Sequence, residues 1–175
     1  RGIDIDLQDV ENQDTALMLA ACYGHTEVVQ ELVRAGAALD LQDEDQDTAL
    51  ILAAMNGSTE VAQELVRAGA ALDLQNKDQY TALMWAAGMG HAEVVQELAR
   101  AGAALDLQDK YENTALIHAA IYGETEVVKE LVRAGAALDL RDAQGFTARA
   151  MASHGGVAEV VRGGVRAGAA LGLRD

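Results

Sequence analysis

Proline is absent from this chain of 175 residues, and cysteine occurs once, at Cys22. The missing proline excludes Pro-rich linkers and collagen-like helices. A lone thiol excludes an internal disulfide framework and a cysteine-based zinc site, and it fits a reducing, cytoplasmic compartment. Aromatics make up only 3%, so a core built on Phe and Trp is not expected. Cations are scarce: 13 Lys and Arg stand against 28 Asp and Glu, a net charge of −15. That balance opposes nucleic-acid phosphates and anionic membranes, and neither is expected as a partner. No apolar run approaches the length of a bilayer span; Ala82 to Met89 is typical. The opening RGIDIDLQ has no apolar leader core. What is present is 50% apolar residues, enough for a real core and too many for a disordered tail.

That apolar content is periodic. Thr15, Thr48, Thr81, Thr114 and Thr147 stand 33 residues apart, and Gly24, Gly57, Gly90, Gly123 and Gly156 follow at the same step. The phrase RAGAAL begins at Arg34, Arg67, Arg100, Arg133 and Arg166. Self-similarity at such a period is the signature of stacked supersecondary units. One domain spanning 1–175 is expected, with copies at approximately 7–39, 40–72, 73–105, 106–138 and 139–175.

Each copy reads as two short helices and a hairpin. Threonine before Ala-Leu is an N-cap, and the first helix stops near Gly24. In TEVVQELVRA, Val28, Val29, Leu32 and Val33 form the inner side, and Glu27, Gln30, Glu31 and Arg34 the outer. Gly36 supplies the left-handed residue that ends a helix. ALDLQ alternates like a short strand.

These residues resemble the ankyrin repeat. Thr81 to Asp109, TALMWAAGMGHAEVVQELARAGAALDLQD, carries its threonine start, Ala-Ala pair, Gly-His turn, E-V-V and G-A. The resemblance implies an all-α solenoid of about five helix-turn-helix repeats with β-hairpin tips. It also implies a concave face, formed by tips and first helices, on which protein partners are gripped. Small Ala86 and Ala87 then sit where helices of neighbouring copies approach closely. Each copy buries its apolar face on the next, so few aromatics suffice.

The family's T-P-L-H appears here as TALM, TALI, TALM, TALI and TARA. Losing proline forfeits roughly 0.4–1 kcal/mol per compatible site. Met18, Ile51, Met84 and Ile117 replace a polar histidine by apolar packing. The family's glycine two residues before the threonine is Gln13, Gln46, Gln79 or Glu112; only Gly145 conforms. A left-handed glutamine is unfavourable by about 1–2 kcal/mol, so that conformation is expected to move to Asn12, Asp45 and Asp78. The first tip holds one extra residue. The last copy is worn: Arg149, Ser153 and His154 enter its first helix, Gly163 and Gly164 its second.

Catalytic and metal chemistry find little support. Asp43, Asp45 and Asp47 begin like a calcium loop, but Thr48 and Ala54 occupy the places of its glycine and its glutamate, leaving a solvated acidic tip. His25 and His91 take the structural Gly-His turn, and His118 and His154 have no ligand partner at metal spacing. Cys22 lacks a base. Asp40, Asp73, Asp106 and Asp139 read as acceptors of turn hydrogen bonds from nearby backbone. No catalytic residue, metal or cofactor is expected.

The aromatics fall only in tips (Tyr80, Tyr111, Phe146) and first helices (Tyr23, Trp85, Tyr122). The same helix columns differ most between copies: Cys22/Met55/Gly88/Ile121 and Tyr23/Asn56/Met89/Tyr122. Tyr, Trp and Met are enriched at interfaces. The candidate partner-binding residues are Tyr23, Asp45, Asp47, Met55, Asn56, Tyr80, Trp85, Met89, Tyr111, Asn113, His118, Tyr122 and Phe146. Asp9, Glu11, Asp14, Asp43, Glu44, Asp45 and Asp47 form an unbalanced acidic rim on the first two tips, whereas Lys77 balances Asp78 and Arg141 balances Asp142. The expected function is non-catalytic binding of a protein partner with a basic segment, by a monomer. The alternative is a passive structural array with no partner of its own, and an engineered array belongs there.

Overall fold

A computed structural model describes residues 4–152, with 159, 162 and 163. Its helices alternate in pairs: α1 (Ala16–Cys22) with α2 (Thr26–Arg34), α3 (Ala49–Met55) with α4 (Thr59–Ala68), α5 (Ala82–Gly88) with α6 (Ala92–Arg100), and α7 (Ala115–Tyr122) with α8 (Thr125–Ala134). The short α9 (Ala148–Met151) opens the next pair. First helices stack on first helices and second helices on second helices. This is the all-α solenoid expected of the periodicity.

Each first helix starts at its threonine, whose Oγ1 accepts the N–H of Met18, Ile51, Met84 or Ile117 at 3.2 Å. Those third residues are each 1% exposed, so the side chains that stand where the family has histidine are core. Ala53, Ala54, Ala86 and Ala87 are fully buried between neighbouring first helices. Val61, Ala62 and Leu65 of α4 are equally buried, as are Val94, Val95 and Leu98 of α6. Val28 departs from the expected inner side: it is 48% exposed, because among the described residues α2 packs only on α1 and α4.

The tips depart further. Among the described residues ALDLQ forms no strand, and Arg141 and Thr147 make one isolated bridge. Side chains take the place of the ladder. Asp40, Asp73 and Asp106 accept the N–H of Ala71, Ala104 and Ala137 at 2.8–2.9 Å, each 31 residues further along the chain, just after the next second helix. These bonds were expected within the turn; they join one hairpin to the end of the following second helix instead. Gln42 Nε2 donates to Gln46 O at 2.7 Å and to Gln75 O at 3.3 Å, and Gln75 repeats the pattern.

The left-handed residue has not moved. Gln13, Gln46, Gln79 and Glu112 hold φ of 61–64°, rather than Asn12, Asp45 and Asp78. Each tip over-determines this conformation. The Gln46 N–H donates to Asp43 O at 3.0 Å, while its carbonyl is held by Gln42. Of the residues that make the last copy look worn, Arg149 lies in α9 and Gly163 among the described residues, while Ser153, His154 and Gly164 lie outside them.

Candidate partner-binding face

Every tip is headed by a side chain that folds the turn around itself. Asn76 Oδ1 accepts the N–H groups of Asp78 and Tyr80, both at 3.0 Å. Asp109 Oδ1 does the same for Tyr111 and Asn113, and Asp142 for Gln144 and Phe146, at 2.8–2.9 Å. These heads are buried, at 7%, 3% and 4% exposure. A carboxylate satisfied by two backbone donors can be buried where a free one cannot.

Asp47, the residue before Thr48, meets the head of the next tip. Asp47 Oδ1 accepts Asn76 Nδ2 at 2.8 Å. Asp47 is only 7% exposed, which corrects its expected place on a solvated rim. Its own amide bonds to Asp43, and the turn draws the carboxylate inward. Burial, then the charges of Asp43, Asp45 and Asp78, push it up to about 6 against the Asn76 bond. Tyr80, one copy on, is pushed up to about 12 by burial and then by Asp109.

At the centre the half-buried Tyr80 ring lies 5.0 Å from Trp85 and 4.8 Å from His118. His118 is 4% exposed, and its Nε2 lies 2.9 Å from Asp109 Oδ2. Burial holds its pKa below the ordinary histidine value, with Asp109 opposing. The carboxylate only accepts, so Nε2 carries the proton. The His–Asp pair thus braces the Tyr80–Trp85 platform from beneath. Cys22 is approached by Asn56 Nδ2 at 3.6 Å.

Tyr23, Met89, Tyr111, Tyr122 and Phe146 are 50–71% exposed. Leu19 and Ile121 join them at 44%. All seven lie on first helices or their caps, or in tips. Met55 is half-buried at the end of α3, Asn56 is exposed at its cap, and Asn113 is half-buried. Asp45 is exposed, with Lys77 Nζ 3.5 Å away. A cleft of about 410 Å³ brings Tyr23, Asp45, Asp47 and Met55 together with Asn12, Asp14, Leu19, Cys22, Asp43, Glu44 and Leu52. Tyr111, Asn113 and Phe146 do not reach this cleft. Asp14 and Asp43 were not among the expected site residues. Pairing the residue before one threonine with the head of the next tip would have revealed them.

The turn between helices shows why its second position varies. The His91 ring lies over Gly57, and Nε2 meets Met55 O at 3.2 Å. Ser58 and Glu124 lie likewise over Gly24 and Gly90. The structural role expected of His91 is therefore a clasp onto the preceding copy.

The ankyrin-repeat family model, built of three copies, matches residues 1–76, 17–109, 50–142 and 83–163. The chain belongs to the ankyrin-repeat family. Among curated proteins, ankyrin repeat domain-containing protein 17 from Homo sapiens is 49% identical over 43 residues, 25% of this chain and 2% of that protein. The protein of the same name from Mus musculus matches equally. The chain therefore resembles only a small part of these relatives. Ankyrin repeats are in general protein-interaction modules. No helix among the described residues is long and apolar enough to cross a membrane.

Proposed function

We propose that this chain is a non-catalytic module that binds a polypeptide segment along the face formed by its tips and first helices. The observation that carries this reading is the one-sided placement of exposed apolar and aromatic side chains. Those at the end of α5, on α7 and in the third to fifth tips form one stripe, whereas α4, α6 and α8 expose none of their large apolar residues. Such a stripe gives contact area with few rotamers to freeze, as interface hot spots require. The acidic first two tips favour a partner with a basic segment and disfavour nucleic acid. A single repeat domain, monomeric and cytoplasmic, completes the reading.

The test is selection of binders from a displayed library of natural peptide segments, followed by calorimetry on synthetic peptides. Met89→Ala with Tyr122→Ala should weaken a selected peptide about 30-fold or more, the scale of a hot spot. Arg67→Ala, on the exposed side of α4, should change affinity less than twofold. The opposite ranking, or no selectable peptide, would leave the passive array as the better account.

A further inference from the structure

The aromatic platform at the centre of the face closes at two local costs. Trp85 Nε1, a donor, is buried with no acceptor among the described residues. A buried N–H without a partner is unfavourable until water or another acceptor reaches it. His118, 4% exposed, carries the second cost. Its Nε2–H is spent on Asp109 Oδ2 at 2.9 Å, and no described residue is bonded to its Nδ1. A further proton would enter on Nδ1 with neither an acceptor nor free water to meet it. Leu19 and Leu52, at the same position in the first two copies, carry no such cost.

One side chain covers both groups. The Tyr80 ring lies 5.0 Å from Trp85 and 4.8 Å from His118, and its hydroxyl faces Asp109. Tyr80 is half-buried at the end of a tip and is held through its backbone by Asn76 Oδ1, so its ring can swing out without unmaking a helix. Asp109 keeps three donors when the phenol leaves: Tyr111 N–H, Asn113 N–H and His118 Nε2–H.

No other charge sits on the imidazole. Helix α7 packs on α5, α8 and α9. Helix α5 has no titratable side chain, and Tyr122 is the other titratable residue of α7. On α8, Lys129 and Arg133 are ion-paired with Glu126 and Glu130, and Glu124 lies over Gly90. Arg149 of α9 is exposed, and Asp142 is engaged by the amides of its own tip. Burial lowers the affinity of His118 for a proton, and Asp109 offsets this only in part. A state in which water reaches the ring binds the proton more tightly, so acid shifts the population toward that state. The closed state is fully favoured above the ordinary histidine range and loses ground as pH falls through it.

We propose that Tyr80 is a proton-controlled latch: at neutral pH its ring closes over Trp85 and His118, and protonation of His118 drives it off, baring the Trp85 indole N–H and dismantling the centre of the face. A partner held there is released on acidification. That release rests on reading the face as a polypeptide groove; the latch itself does not.

Trp85 is the only tryptophan of the chain, so its fluorescence reads the latch directly. Acrylamide quenching is measured from pH 7.5 to 5.5, with circular dichroism for helix content. In the parent, quenching should rise at least about threefold as pH falls, with helix content unchanged and a midpoint below the ordinary histidine value. His118→Gln keeps a donor for Asp109 and takes no proton, and His118→Leu restores the side chain of Leu19 and Leu52. Both should change less than about 1.5-fold over the same range. Asp109→Asn keeps the turn, as Asn76 shows, but removes the charge that opposes burial, so the transition should move to lower pH. Asp47, pushed up to about 6, gains stability from its own proton in this range; its sign is opposite and it is common to every variant. A flat parent, an equal rise in His118→Gln, or a rise that follows loss of helix would overturn the latch. A peptide selected on the face should bind at least fivefold more weakly at pH 5.5 than at 7.5 in the parent, and less than twofold more weakly in His118→Gln. If quenching responds as stated and no peptide depends on Met89 and Tyr122, the groove reading falls and the latch stands. If peptides depend on them equally at both pH values and quenching stays flat, the latch falls and the groove reading stands.

Discussion

Asp47 and Asn76 lie 29 residues apart and share a buried hydrogen bond of 2.8 Å from the Asn76 amide to the Asp47 carboxylate. The bond joins two tips, and its cost is electrostatic. Asp47 is pushed from the ordinary aspartate value of 3.8 to about 6, so the folded chain holds this proton more tightly than the unfolded one. Stability from this group is full below about pH 4 and is lost as pH rises through about 6. Asp47→Asn should therefore stabilise the chain at pH 7 by about 1–3 kcal/mol and leave it nearly unchanged at pH 4. Urea unfolding of both chains from pH 4 to 7 measures the difference; a gap independent of pH would refute the burial argument.

The left-handed residues two before the threonines give a second prediction. Gln46, Gln79 and Glu112 adopt φ near 61–64°, a region that glycine enters freely. Relief of about 1–2 kcal/mol of strain, less glycine's entropy in the unfolded chain, should leave each glycine variant about 0.5–1 kcal/mol more stable. The three lie in separate copies and should add. Thermal unfolding of the singles and the triple checks both points.

The clasp over Gly57 can be isolated by comparison. A Cβ at Gly57 would stand 2.5 Å from His91 Nδ1, whereas one at Gly69 would meet nothing within 4 Å; both residues have positive φ. Gly57→Ala should thus cost at least about 1 kcal/mol more than Gly69→Ala, the excess being overpacking. In a His91→Ala background the excess should vanish. A persistent difference would mean that backbone strain alone separates the two sites.

Asp73 ties its hairpin to the end of the following second helix. Its Oδ1 accepts Ala104 N–H at 2.9 Å. Asp73→Ala should cost about 1–3 kcal/mol, because the Ala104 amide loses its acceptor. Asp73→Asn keeps an acceptor oxygen and should cost under about 1 kcal/mol. Denaturant unfolding of both variants decides the matter.

Much of this was legible in the 33-residue period. Thr48 and Ile51 announce a capped helix, and Ala53 with Ala54 a close helix contact. The aromatic columns also pointed to one face. What escaped was whatever joins residues far apart in the chain. A bond from Asp73 to Ala104 spans 31 residues and leaves no local pattern. Asp47 reads as a solvated tip charge because nothing in DEDQD says that turn amides and a neighbouring tip will enclose it. Gln79 kept its positive φ because the Asn76 carbonyl and the Gln75 amide hold it there, a tertiary gain outweighing a local preference.

The central claim is that binding occupies one face, and NMR mapping with the tightest selected peptide tests it most directly. The account predicts shifts along Asp14, Leu19, Tyr23, Met55, Trp85, Met89 and Tyr122, and still resonances at the exposed positions of α2, α4, α6 and α8, such as Glu31, Arg67 and Arg100. Shifts confined to those second-helix positions, with Trp85 and Tyr122 unmoved, would contradict it.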